Sequence, residues 1–383
     1  MNSLKILFSL IVFISSISFA QEEDSVKFNF IKKIETTPVK SQGETGTCWA
    51  FSTTSFIETE LMRMGKINFD LSEMYVVRNT YPKKAENYVR RQGAANFGQG
   101  GQAHDVINVI KNYGLMPGEF YTGRDENADE YNHKELYAIS KGFLDAVLER
   151  RGGEISPKWR EAYNATLDIY LGKKQDQFVY DDQDFTPLSF RDYLGIDPDD
   201  YVEFTSFTHH PFYEKFILEL PDNWSNAEYY NVPLEDLMKI IDSALKDGYS
   251  VVWDGDFSEE SYSSKSGFAV IPEEGETDKK TEESDDEEII TLPEKEKNIT
   301  QSMRQETFDN FATTDDHLMH IVGIAEDENG SRYYYTKDSW DTEGKYKGFI
   351  FLSEPYVKLK TIAILLHKDA VPEYFKEKMG MLN

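Results

Sequence analysis

Cysteine is nearly absent: Cys48 is the only one in 383 residues. A lone thiol excludes an internal disulfide and any metal site built from several cysteines. Cys48 is therefore either a small buried hydrophobe or a nucleophile. Positive charge is also short, with 41 Lys and Arg against 69 Asp and Glu and a formal net charge of −28. Such a surface repels a phosphate backbone, so nucleic acid is excluded as the expected partner. Long apolar runs are confined to one place near the N-terminus. Aromatics, at 14%, are plentiful enough to argue against general disorder.

The N-terminal run extends from Ile6 to Phe19, after the single charge of Lys5, and ends in Ser18-Phe19-Ala20 before Gln21. A short apolar segment with small residues before the cut describes a secretory signal peptide over 1–20. The run is short for a membrane span, and Gln21-Glu22-Glu23-Asp24 follows where a stop-transfer signal would stand. The expectation is an exported protein, periplasmic or secreted, with no stable membrane insertion after cleavage.

Cys48 stands in Ser41-Gln42-Gly43-Glu44-Thr45-Gly46-Thr47-Cys48-Trp49-Ala50-Phe51-Ser52. A polar, Gly-punctuated loop leads into apolar residues at helical spacing, so the sulfur is expected at a helix N-terminus. There the dipole and free backbone N–H groups favour a thiolate. The helix is predicted from about Thr47 to Met64, and a second opens at Leu71-Ser72-Glu73 with Ser72 as N-cap. Phe97 to Gln102 is a Gly-rich loop, followed by a periodic helix from Ala103 to Tyr113.

The chain divides on this reading into a helical lobe over 21–122, a helical insertion over 123–248 and a β-rich lobe over 249–372. A tail, 373–383, closes it. Within the insertion, helices are predicted at Tyr137–Arg150, Pro157–Leu171 and Leu234–Lys246, with few strand signals between Phe178 and Phe216. Strands are predicted near Tyr249–Trp253, Met319–Ala325, Tyr333–Lys337, Gly348–Leu352 and Val357–His367, and a hairpin turn at Glu328-Asn329-Gly330-Ser331. Residues 272–298 carry twelve acids and four lysines and read as a surface loop. Their spacing lacks the Gly turn and terminal Glu of an EF-hand, so no calcium site is expected. The fold class is α+β in two lobes, with a site in the cleft between them.

A cysteine nucleophile needs a base, a group to orient that base, and donors for an oxyanion. Among seven histidines, His317 begins an apolar strand, where its ring can stand at a cleft edge. His320 faces the opposite side of that strand, which disfavours a metal held by the pair. His104, His133, His209, His210 and His367 have no setting that suggests catalysis. The following strand ends in Lys337-Asp338-Ser339-Trp340, which returns Asp338 to His317, with Trp340 covering the contact. Gln42 can offer its side-chain amide to an oxyanion shared with the Cys48 N–H.

The order Gln42…Cys48-Trp49-Ala50-Phe51-Ser52, Leu71-Ser72-Glu73, Gly100-Gly101, His317-x-Met319 and Asp338-Ser339-Trp340 resembles the papain-like cysteine peptidases. Cys48 and His317 lie 269 residues apart, against roughly 130–150 in papain itself. The long insertion and the Lys360–Pro372 segment are similar to the bleomycin hydrolase and aminopeptidase C branch. The resemblance implies a two-lobed papain-like fold that hydrolyses peptides through a thioester. It implies Cys48 as nucleophile, His317 as base and then acid, and Gln42 as oxyanion donor. Gly100 and Gly101 would offer backbone groups to an extended substrate. It implies no cofactor and no metal. Asp338 stands where the family has Asn, and Asp341 where it has Gly. Asp338 is expected to accept from Nδ1–H and to raise the titration of His317. The branch also implies hexamers whose C-terminal tail enters the cleft, and hence an aminopeptidase. The alternatives are an endopeptidase of the same fold, a catalytically silent peptide binder, and acyl transfer through the same thioester.

Overall fold

The computed structural model describes residues 26–66, 69–124, 128–149, 153–273, 290–340, 342 and 344–381. The signal-peptide reading of 1–20, the centre of the acidic segment and Asp341 lie outside the described residues.

The front lobe is built on α1 (Cys48–Arg63), α2 (Glu73–Arg90) and α3 (Ala103–Tyr113). Nearly every residue of α1 is buried, including Trp49 and Phe56, so it is a central helix with neighbours on all sides. Truncating Phe56 to Ala there would cost about 3–5 kcal/mol. Ser72 caps α2 as expected, accepting from Tyr75 N at 2.9 Å. A reciprocal box between Gln102 and Asp105 starts α3, and Gly114 ends it at φ +88°. A β-carbon at Gly114 would fall 2.1 Å from Pro187 O, so the turn requires glycine twice over.

The span 123–248 serves both lobes. Helices α4 (Lys134–Leu148), α5 (Lys158–Leu171) and α6 (Pro187–Leu194), with the hairpin β2 (Phe178–Tyr180) and β3 (Gln183–Phe185), pack into the front-lobe core. By contrast β4 (Tyr201–Thr205), β5 (Lys215–Ile217), β6 (Glu228–Asn231) and α7 (Leu234–Asp247) belong to the back lobe. These short strands carried no clear alternation, and their pairing with distant strands is what makes them strands.

Among the described residues, the back lobe is an 11-stranded mixed sheet with β8 (Tyr262–Ser263) and β9 (Phe268–Ala269) at one edge. Its middle runs β4, β13 (Thr361–His367), β7 (Val251–Gly255), β10 (His317–Glu326), β11 (Arg332–Lys337) and β12 (Phe349–Ser353), all neighbours antiparallel. The N-terminal β1 (Asn29–Lys33) pairs with β10. The strand expected over Val357–His367 begins only at Thr361. Ser353 accepts from Tyr356 N at 3.2 Å, and with Pro355 in the first turn it starts a short helix over Glu354–Lys360.

Alternation along β7, β10 and β13 divides the sheet's two faces. Val252, Leu318 and Leu365 join the front-lobe core around α1. Val251, Trp253, Met319, Ile321, Ile364 and Leu366 point the other way, into a core shared with α7. The tail forms a helix over Glu373–Lys378 and packs Phe375, Met379 and Met381 onto that second core. Among the described residues, no helix is long and apolar enough to cross a membrane.

Candidate active site

Cys48 is the first residue of α1, as its sequence setting required, and is 8% exposed. The turn before it is fixed to the Gly-rich loop: Gly46 N donates to Gln99 Oε1 and Trp49 Nε1 to Gln99 O, both at 3.0 Å. Trp49 thus anchors the helix start, which sets where the sulfur stands.

His317 opens β10 opposite Gly255. Its Nε2 lies 2.7 Å from Asp338 Oδ1, and Cys48 is close enough to the ring to raise its pKa. The nitrogen facing the carboxylate is thus Nε2, where Nδ1 was expected. The ring packs against Phe257 (centroids 5.0 Å) and Trp340 (5.8 Å, 27° between planes), which restrict its plane. Burial pulls the imidazolium down, but the charges of Asp338 and Cys48 and hydrogen bonds to both raise it to about 10. Trp340 covers one ring face while remaining 42% exposed.

Asp338 has more partners than its sequence setting indicated. Oδ1 also accepts from Ser339 N at 2.7 Å, and Oδ2 accepts from the Tyr262 hydroxyl at 3.2 Å. An Asn here would present an NH₂ at one end; the carboxylate instead presents a second acceptor, and Tyr262 supplies the donor. Neither Tyr262 nor Phe257 carried a sequence signal, since both follow β7, far from His317 in the chain.

Gln42 is buried and fixed at both ends of its amide. Nε2 donates to Thr45 O at 2.6 Å, and Oε1 accepts from Ser339 Oγ at 2.7 Å. Its backbone N also donates to Ser339 O at 2.7 Å. The loop before it is held by Lys40, which reaches Glu58, Glu73 and Asp70.

Gly100 and Gly101 line the same cavity as Cys48, about 380 Å³ in volume. Gly100 is not an open backbone strip. Its carbonyl accepts from the buried Lys84 ammonium, and a β-carbon on it would lie 1.9 Å from Asp222 Oδ2. Gly101 lies against Trp49 and Asp105.

The other histidines stay apart from this group. His104 pairs with Glu203 at 3.1 Å in the interior, and His320 bonds Ser55 Oγ at 3.0 Å on the opposite face of β10. Among the described residues, one set could hold a metal ion: His209 and His210 about the Glu219 carboxylate. It includes no residue of the Cys48–His317–Asp338 group.

Residues 166–381 match the Peptidase C1-like family, and residues 24–152 match the papain family cysteine proteases. The chain belongs to the Peptidase C1-like family. This C1-like peptidase is 24% identical over 380 residues to aminopeptidase G of Lactobacillus delbrueckii subsp. lactis, covering 88% of its own length and 83% of the relative's. It is 25% identical over 396 residues to aminopeptidase E of Lactobacillus helveticus, covering 91% and 85%. To the mitochondrial cysteine proteinase 1 of Saccharomyces cerevisiae it is 22% identical over 408 residues, covering 94% and 80%. Among solved structures, PepW of Lactobacillus rhamnosis shares its fold at a TM-score of 0.71 and 18% identity, over 93% of this chain and 86% of that one. The cysteine peptidase and two-lobed α+β expectations therefore hold.

Proposed function

We propose that this C1-like peptidase is an exported aminopeptidase that releases residues from the free amino end of peptides. Cys48 is the nucleophile, His317 the acid and base, Asp338 its orienting partner and Gln42 an oxyanion donor. The observation that carries the assignment is the His317 ring held 2.7 Å from Asp338 and close enough to Cys48, the first residue of α1, for the sulfur to raise its pKa.

In the acylation step, the Cys48 sulfur attacks the scissile carbonyl and the C–N bond breaks. His317, held protonated by Asp338, gives its proton to the leaving amine. The carbonyl oxygen gathers charge against the Cys48 backbone N–H and the second N–H of the Gln42 amide, whose first serves Thr45 O. Neutral His317 then takes a proton from water, which attacks the thioester and frees the sulfur. Phe257 and Trp340 keep the ring in plane throughout.

Relatives named aminopeptidase that align over more than four fifths of their length support exopeptidase action. Export rests on the sequence of residues 1–20, and N-terminal sequencing of the secreted protein should read from Gln21. A homo-oligomer, hexameric by family resemblance, is part of the same proposal and is read by light scattering.

The test is hydrolysis of one short peptide with a free and with an acetylated amino end. The free form should be cleaved and the acetylated form spared, and Cys48→Ala should abolish cleavage of either. Equal cleavage of both would leave a cysteine endopeptidase.

A further inference from the structure

An aminopeptidase must recognise an ammonium one residue from the bond it cuts, and the family branch this chain resembles uses its own C-terminal carboxylate. Here the tail, described through Met381, packs on the sheet face turned away from α1, and no residue of 373–381 lines the cavity at Cys48. Among the described residues, the lining of that cavity contains no Lys, Arg or His, but it does include Asp222, Asp315 and Asp316.

Behind this wall stands Asp254, 3% exposed, with no N–H donor on either oxygen and the Asp315 carboxyl as its hydrogen-bonding neighbour. It pairs across the ladder with Leu318 and follows Val252 by two residues, so its side chain is on the α1 face of the sheet, where Leu318 lines the cavity. The charged groups facing it are Asp315, Cys48 and Glu203. Burial first, then Asp315, pushes its carboxyl well above the usual range. Two carboxyls sharing a hydrogen bond at this depth, with no cation bound to either, cost free energy that an arriving cation would offset.

The neighbouring cations are bonded elsewhere. Lys84 bonds Gly100 O, His104 is taken by Glu203, and Asp105 is taken by Gln102 N and Trp224 Nε1. Asp315 has the Gln102 amide at 2.7 Å and Asp222 has the Asn96 amide at 2.7 Å, both neutral donors. Asp222 also covers Gly100, where a longer substrate would continue.

We propose that Asp315 and Asp222, backed by Asp254, receive the α-ammonium of the substrate, so that side chains of the cleft set the one-residue register. This rests on the aminopeptidase reading above. A charge-assisted contact to each carboxylate holds the ammonium, and Asp222 blocks residues beyond it.

The experiment compares kcat/KM for alanyl anilide with that for propanoyl anilide, which differs only in lacking the ammonium. The parent enzyme should favour the alanyl compound by more than about 100-fold. Asp315→Asn and Asp222→Asn should each reduce that ratio about 10- to 100-fold, through KM for the alanyl compound. Using the ratio cancels any general loss of activity, and Asp222, half-buried in the cleft wall, is a second site should Asp315→Asn fold poorly. If the parent keeps its preference and both variants match it, the ammonium site is overturned while the aminopeptidase reading stands. A parent that cleaves the two anilides alike overturns both.

Discussion

His317 and His320 stand three residues apart on one strand, both almost fully buried, yet they are driven in opposite directions. His317 meets Asp338 and Cys48, and these outweigh its burial to raise it to about 10. His320 meets Ser55 and the neighbouring Lys337, and burial with that like charge drives it well below its usual range. The same two strands also split their next residues. Lys337 points with His320 toward α1, bonding Ser55 Oγ at 2.8 Å and lowered to about 8 by burial, while Asp338 points with His317. Burial is common to both faces, so the sign of the adjacent charge decides which imidazole can carry a proton for chemistry.

The largest effect that would break this contrast is His317→Gln. It should cost about a thousandfold or more in kcat/KM if the ring is the proton carrier. His320→Gln, by the same assay, should remain within about tenfold of the parent. Next is Asp338→Asn, which leaves an acceptor for Nε2–H but removes its charge. The imidazolium loses its partner, its pKa falls, and the alkaline limb of the pH–rate profile should move down by about 1–3 units. In the parent, the stability His317 contributes is complete below its unfolded pKa near 6.5 and disappears as pH rises through about 10.

On the other face the sign reverses. A histidine held neutral contributes stability above about pH 6.5 and loses it on acidification, by about 1.4 kcal/mol per unit. Urea unfolding at pH 5 and pH 7 should show that slope in the parent and a shallower one in His320→Leu. The smallest effect sharpens the carboxylate's side: Tyr262→Phe removes one donor to Asp338 Oδ2 and should cost less than about fivefold in kcat/KM.

Much of the site was legible because each residue stood beside a local signal. Cys48 followed a Gly-rich loop and preceded a helical stripe, while His317 and Asp338 stood at the ends of two apolar strands joined by an Asn-Gly turn. The nitrogen facing Asp338 was not legible, since the side-chain rotation that presents Nε2 leaves no mark in the sequence. Asp254 lay unnoticed in Trp253-Asp254-Gly255 because only the ladder to Leu318 reveals which face it takes. The strands β4 to β6 were invisible for a related reason: they are extended by pairing with β13 and one another, not by alternation of their own. The short helix before β13 had a signal in Ser353 and Pro355 that strand propensity masked.

Ser339 joins the two lobes. One residue gives its carbonyl to the backbone of Gln42, its hydroxyl to that side chain, and its N–H to Asp338. Any slight parting of the halves therefore misaligns the anion-stabilising amide and the imidazole's carboxylate together. On gentle warming, turnover should vanish as a single event while circular dichroism still reports an intact helix and sheet content.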